Sequence, residues 1–164
     1  MRRTWPDDWD SRKQGVGCPF CTDLTSRSFH RGRISEALLE RHAIATGHTA
    51  VVFRRRHVAA LTDLAPDELA DYWLDIQDVA RAIELVFKPC HVNYQLLGNM
   101  VPHLHVHVVP RYLDDAAPQR PLPWEPVPVS DEDFARCARE LRAAMTAGTG
   151  PINASQPNVG RAPR

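Results

Sequence analysis

The sequence has no apolar run approaching the ~18 residues that a membrane-crossing helix needs. It has no excess of charge of either sign: 20 Lys+Arg stand against 20 Asp+Glu, and the pI is near 7.1. That balance gives no basis for holding nucleic acid or a membrane surface by bulk charge, and neither is expected as a partner. The opening stretch MRRTWPDDWDSRKQG has basic residues and no apolar segment, so it does not read as a secretory signal. The expectation is a cytoplasmic protein. There its four cysteines, at positions 18, 21, 90 and 137, would be thiols or metal ligands rather than disulfides. No internal repeat is visible. The 164 residues, 43% of them apolar, suffice for one domain with a real core.

What is present is concentrated in Val101-Pro102-His103-Leu104-His105-Val106-His107-Val108-Val109-Pro110. Side chains of a β-strand alternate between faces. A strand here puts His103, His105 and His107 on one face, with Leu104, Val106 and Val108 on the other. Residues i and i+2 lie roughly 6.5–7 Å apart, so the imidazoles form a short row. Pro102 and Pro110 bound it. Three histidines in strict alternation are hard to explain as satisfied core residues, because each ring brings nitrogens that need partners. One substrate could span the row, and so could one metal, since histidines at i and i+2 suit zinc.

Along the rest of the chain, residues 1–17 are polar and read as a loose arm anchored by Trp5 and Trp9. Gly17-Cys18-Pro19-Phe20-Cys21 carries Cys-x-x-Cys. Its redox use needs a preceding strand and a helix at the first thiol. No strand precedes Cys18, and residues 22–28 lack helical periodicity. Its other use is a zinc half-site, which needs two further ligands, and no second cysteine pair or closely spaced histidine pair follows it. Residues 34–40 fit either a strand or a helical turn, and 47–53 read as a turn entering a strand. Arg54-Arg55-Arg56 reads as a solvated patch rather than a phosphate site.

The spacing predicts a helix over 66–87. Pro66 is placed for a first turn, with Asp67 and Glu68 beside it. Leu69, Tyr72, Trp73, Ile76, Val79, Ala80, Ile83, Val86 and Phe87 form its stripe. Its aromatic residues are expected in the core or at a dimer contact. Cys90–Leu97 alternates as a strand, and Gly98-Asn99-Met100 turns it into the histidine strand as an antiparallel hairpin. The proline-rich segment 113–129 should be extended, and with Trp124 it would cover the site or cross to a second subunit. Ser130, with Asp133 three residues on, caps a second helix. Phe134, Cys137, Ala138, Leu141 and Met145 mark its buried face, and Gly148 ends it. The expected organisation is an arm (1–17), a domain (18–146) and a disordered tail (147–164).

His-Leu-His-Val-His-Val-Val, followed by Pro110-Arg111, resembles the signature of the histidine triad superfamily of nucleotidyl hydrolases and transferases, nearest its fragile-histidine-triad and bacterial branches. The resemblance runs from Cys18 to Tyr112, and weakly to Trp124. It implies an α+β fold: about five mainly antiparallel strands with two helices, paired as a homodimer through the long helix and a strand. It implies that His105 attacks the α-phosphorus of an adenylated substrate, leaving a nucleotidyl-histidine that water or another acceptor resolves. His107 would contact the phosphate or bridging atom, and His48 matches the family's upstream histidine. Asn93 and Asn99 match side-chain amides at the substrate, and Glu40 is the nearest match to the acidic residue on the ribose. Met100 stands where some members carry Ser or Thr, which points away from the phosphoramidate-hydrolysing branch. Retention of His107, which is Gln in the uridylyltransferase branch, favours hydrolysis or phosphorolysis over exchange. The resemblance also implies one structural zinc, held by Cys18, Cys21, His57 and His103; a catalytic zinc on all three triad histidines would leave the cysteines without a task. The alternatives to a hydrolase or phosphorylase are a biosynthetic nucleotidyl transferase and a nucleotide-binding regulatory module without turnover.

Overall fold

In a computed structural model, residues 5–148 are described. Residues 149–164 of the expected tail, and residues 1–4 of the expected arm, lie outside the described residues. Three α-helices are formed: α1 (Trp9–Lys13), α2 (Pro66–Phe87) and α3 (Asp131–Thr146). The strands are β1 (Ser28–Arg31), β2 (Ser35–Leu39), β3 (His42–Ala43), β4 (Thr49–Phe53), β5 (His91–Gln95), β6 (His105–Arg111) and β7 (Val127–Pro128). Five of them make an antiparallel sheet in the order β1-β2-β4-β6-β5. The segment 34–40, open between strand and helix in the sequence, is a strand. The sheet is α+β in arrangement, and no helix among the described residues is long and apolar enough to cross a membrane.

Every residue of β2, β4 and β6 is buried, because each face of the sheet is covered by something different. Ala37, Val51, Phe53, Val106 and Val108 meet Tyr72, Ile76, Val79 and Ile83 of α2, and Leu141 of α3. On the opposite face Leu38, Ala50 and Val52 pack with Cys18, Phe20 and Leu24. His105 and His107 pair with Val52 and Ala50 across the β4–β6 ladder, so they belong to that second face.

The long helix has the predicted bounds, starting with Pro66 in its first turn and ending at Lys88, whose φ is 48°. Its buried face is rotated from the predicted stripe: Asp75 and Ala82 are inside, and Trp73 is exposed. Asp75 is inside because its carboxylate caps the β1–β2 turn. It accepts from the backbone N–H groups of Arg33, Ile34 and Ser35 (2.9, 3.0 and 3.1 Å) and from the Ser35 hydroxyl (2.7 Å). Burial pushes this carboxyl up, and these bonds outweigh burial and hold it below the usual range. Gly32 is required there, since a Cβ would fall 2.5 Å from that carboxylate.

Several expectations are corrected. The histidine strand begins at His105 rather than Val101. Pro102 has no N–H for a ladder. Through the approach, the His103 N–H turns back to the Val101 carbonyl (2.8 Å), and that of Leu104 bonds Val58 (2.7 Å). Part of the expected loose arm is helix α1, steadied by Asp8–Arg12 and Asp10–Lys13 ion pairs at helical spacing. The proline-rich segment is not extended throughout: residues 113–120 run through turns, with Asp115 N–H bonding Tyr112 and Arg120 N–H bonding Ala117, and its later part is tied down because β7 pairs with β3. The arginine run is a solvated patch only in part: Arg55 and Arg56 are exposed, Arg56 bonding Glu68 and the Asp63 carbonyl, whereas Arg54 is half-buried and bonds the Phe20 and Thr22 carbonyls.

Candidate active site

The site is built where β6 lies between β4 and β5. His105 is 6% exposed and His107 7%. The His105 Nδ1–H donates to the carbonyl of His103 at 2.6 Å. That bond fixes the tautomer and leaves Nε2 with a free lone pair. Phe20 stands edge-on to the ring, 5.0 Å between centroids, and holds its orientation.

His48 leads into β4 and reaches His107, with Nε2 3.0 Å from the His107 Nδ1. The Ile44 N–H points at the other His48 nitrogen, at 3.5 Å. A backbone N–H can only donate, so His48 Nδ1 accepts and its Nε2–H donates to His107. His107 then carries its own proton on Nε2, as a donor toward the site. Trp124 covers this pair from the proline-rich segment, 5.6 Å from the His48 ring and 4.9 Å from that of His107.

Burial keeps all these rings neutral. It pulls His48 down to about 4. It pulls His107 down to about 3, with further lowering by His105 and His48. It also lowers His105, against the raising effect of the bond to His103. A consequence for stability follows. In the unfolded chain both His48 and His107 titrate near ~6.5, so below that pH the unfolded state binds protons that the folded state refuses. Unfolding free energy should therefore fall as pH drops from about 6.5 toward 4, by about 3–5 kcal/mol by pH 4.5. Urea denaturation at pH 7 and 4.5 measures this, and the loss should shrink in His48→Gln/His107→Gln. Equal losses in both proteins would mean that the rings are not buried neutral.

Cys18, Cys21, His57 and His103 come together, with their four ligand atoms all within 4.8 Å of one another. Sγ of Cys18 is 3.3 Å from Nδ1 of His103, and Sγ of Cys21 is 3.4 Å from Nδ1 of His57. The far nitrogen of each ring donates to a backbone carbonyl: His103 Nε2–H to Phe53 at 2.7 Å, His57 Nε2–H to Lys13 at 3.0 Å. Both Nδ1 lone pairs are thereby aimed at the thiols, as ligating histidines require. This donor set could hold a metal ion.

The remaining predicted residues fall around this centre. Glu40 is paired with Arg27 at 3.2 Å, and burial raises its carboxyl while Arg27 lowers it. It lines a cavity of about 400 Å³ with Leu39, Ile44, Val127, Asp133 and Arg136, which meets the site at Ile44 and Gly47. Asn93 gives its Oδ1 to Arg111 (2.6 Å). The same buried guanidinium holds Asp115 at 2.5 Å and the Ala117 carbonyl at 2.6 Å, which sets the start of the proline-rich segment. Asn99 is exposed on the 96–104 connection and makes no side-chain hydrogen bond among the described residues. The structure does bring another amide to the triad. Gln95 is the direct cross-strand partner of His107, and counting the hairpin register back from the histidines is the signal that finds it.

The chain is similar to several known proteins. The chain is 36% identical over 91 residues to a bis(5'-nucleosyl)-tetraphosphatase (asymmetrical) of Schizosaccharomyces pombe, covering 52% of this chain and 50% of the relative. It is 33% identical over 94 residues to a bis(5'-adenosyl)-triphosphatase of Saccharomyces cerevisiae, covering 54% and 46%. It thus spans about half the length of the curated relatives it matches. A crystal structure of a zinc-bound histidine triad family protein from Mycobacterium smegmatis superposes with a TM-score of 0.64 at 25% identity, covering 80% of this chain and 95% of that one. The family model for the HIT domain matches residues 24–114, from the approach to β1 through the triad strand and Arg111, and with over half of its length so matched the chain belongs to the HIT domain family.

Proposed function

We propose that this protein hydrolyses dinucleoside polyphosphates at the α-phosphate through a covalent nucleotidyl-histidine. The observation that carries the reading is the free Nε2 of His105, presented beside a donor on His107. Nε2 of His105 attacks the α-phosphorus: the N–P bond forms, and the bridging P–O bond breaks with its electron pair going to the departing nucleotide. His107 Nε2–H donates to the bridging oxygen as charge develops there. A terminal phosphate has its second pKa near ~6, so at neutral pH this leaving group needs a hydrogen bond more than a proton. Water then attacks phosphorus, the N–P bond breaks, and the nucleoside monophosphate leaves with the oxygen of water. Glu40 faces the ribose side, and the free amide N–H groups of Asn93 are available to phosphate oxygens. The two polyphosphate hydrolases among the relatives support the substrate class.

Zinc is the metal we assign to Cys18, Cys21, His57 and His103. Tetrahedral zinc with Zn–S near 2.3 Å and Zn–N near 2.0 Å sets ligand atoms roughly 3.3–3.8 Å apart. The separations of 3.3, 3.4 and 3.5 Å between Sγ and Nδ1 atoms here fit that set. A closed Cys₂His₂ set supplies a structural link rather than a reactive one. It would anchor His103, whose carbonyl orients His105.

A homodimer is supported by an apolar face. Trp73, Leu74 and Tyr94 are 43%, 43% and 50% exposed and group beside Ile76 on α2 and β5, and β5 is a sheet edge. A single-chain mass by sedimentation equilibrium would sink this assembly. The free thiols of Cys18, Cys21, Cys90 and Cys137 suit the cytoplasm, which cell fractionation tests.

The deciding experiment offers diadenosine tetraphosphate, follows AMP release, and reads intact-protein mass after a brief incubation quenched without acid. An added adenylyl mass with AMP release is expected. AMP transferred to an acceptor other than water would favour a transferase. Nucleotide binding with neither adduct nor AMP would leave a binding module.

A further inference from the structure

Two cavities are lined by neighbours of the site histidines, one by Gly47 beside His48 and the other by Gln95 opposite His107, and their chemistry differs. The one at Glu40 carries two carboxylates, Glu40 and Asp133, and a guanidinium, Arg136, that is already paired with Asp133 at 2.7 Å. The other, about 370 Å³, runs along the outer strand β5 beneath residues 118–121, and none of its lining residues is acidic. Its polar lining includes His91, Asn93, Gln95, Arg111, Gln119 and Arg120. From this asymmetry we propose that the β5 cleft is the subsite for the polyphosphate chain beyond the scissile bond. The inference rests on the hydrolase reading above and names where the departing anion lies.

The register ties this cleft to the reacting centre. Gln95 is directly opposite His107, and such pairs bring Cβ atoms to ~4.5–5.5 Å on one face. The Gln95 side chain is half-buried and makes no hydrogen bond among the described residues. Its amide is the first donor met by a phosphate chain leaving the His107 side. Farther along, the Arg111 guanidinium is already committed to Asn93, Asp115 and Ala117. Arg120 is different: its backbone N–H bonds Ala117, while its guanidinium has no hydrogen bond or ion pair among the described residues. An exposed guanidinium lining a polar cleft, with no carboxylate beside it there, suits bidentate contact with phosphate oxygens. Polyphosphate in the other cavity would instead face Glu40 and Asp133, and the Arg136 guanidinium there is already paired with Asp133. The volume lies within the ~300–1,000 Å³ common for small-molecule sites.

The test compares diadenosine tetraphosphate with adenosine 5'-phosphoramidate, which has no phosphate beyond the bond broken. Arg120→Ala should lower kcat/KM for the tetraphosphate about tenfold more than for the phosphoramidate, chiefly through KM, and Arg120→Lys should recover part of it. Gln95→Ala should act in the same direction. Equal losses on both substrates, or none, would overturn the subsite. Calorimetry with inorganic tripolyphosphate reads the subsite independently of turnover. Wild type should bind it about tenfold more tightly than Arg120→Ala, and indistinguishable binding overturns the proposal even in an active enzyme. Absence of AMP from both substrates, with tripolyphosphate binding still dependent on Arg120, would sink the hydrolase reading and leave the anion site standing.

Discussion

His105→Ala should reduce AMP release from diadenosine tetraphosphate on the order of a thousandfold or more, and no adenylyl mass should accumulate. The size of the effect follows from the role: without the ring there is no N–P bond, and the remaining groups can only bind and polarise. The fold should tolerate the change. The ring donates one hydrogen bond, to the His103 carbonyl, and losing it costs about 1 kcal/mol, a Tm shift of about 2–4 °C in a domain of this size. Near-normal rates would take the nucleophile away from His105, whereas a collapse of Tm would make the assay uninformative about chemistry. Steady-state kinetics, intact mass and thermal unfolding on one preparation separate these outcomes.

Cys18→Ala should have the opposite signature: a large loss of stability and of bound metal. Cys18 is buried and its sulfur touches Nδ1 of His103, so its removal breaks a tetrahedral set in which binding energy is folding energy. The cluster joins pieces distant in sequence: the turn at 18–21, His57 after β4, and His103 before β6. A loss of about 3–5 kcal/mol, or roughly 10–15 °C in Tm, is expected. Chelation of wild type should shift Tm by a similar amount and should barely move the variant. Metal analysis should find about one zinc per chain in wild type and little in Cys18→Ala. A wild-type Tm indifferent to chelation, together with a metal-free preparation, would remove the metal from the account and leave the four residues as a thiol–imidazole cluster.

The histidine row was the most legible part of the site. Its alternation is local, so residues two apart must share a face wherever the strand lies in the fold. Asn99 shows the limit. Sequence proximity to the triad marks it as an amide near phosphate, but the approach to β6 is irregular because Pro102 cannot enter a ladder, and Asn99 is left exposed. Gln95 was hidden for the complementary reason. Its place opposite His107 depends on hairpin register, and the length of the connection fixes that register only once the start of β6 is known. Asp75 broke the helical stripe because a charged side chain was buried to satisfy three backbone N–H groups of a turn some forty residues away.

The sequence by itself determined the bounds of the long helix and the face shared by His105 and His107. These rest on periodicity, on capping residues and on proline, all of which act within a few positions. It also carried the histidine triad resemblance. Only the tertiary structure decided the tautomers of His105, His107 and His48, since each is set by a backbone carbonyl or N–H or by a ring brought in from another segment. Only it brought the ligand atoms of Cys18, Cys21, His57 and His103 within 4.8 Å of one another, and left a cleft without carboxylates along β5. Those properties are sums over contacts between distant segments, and no local pattern encodes them.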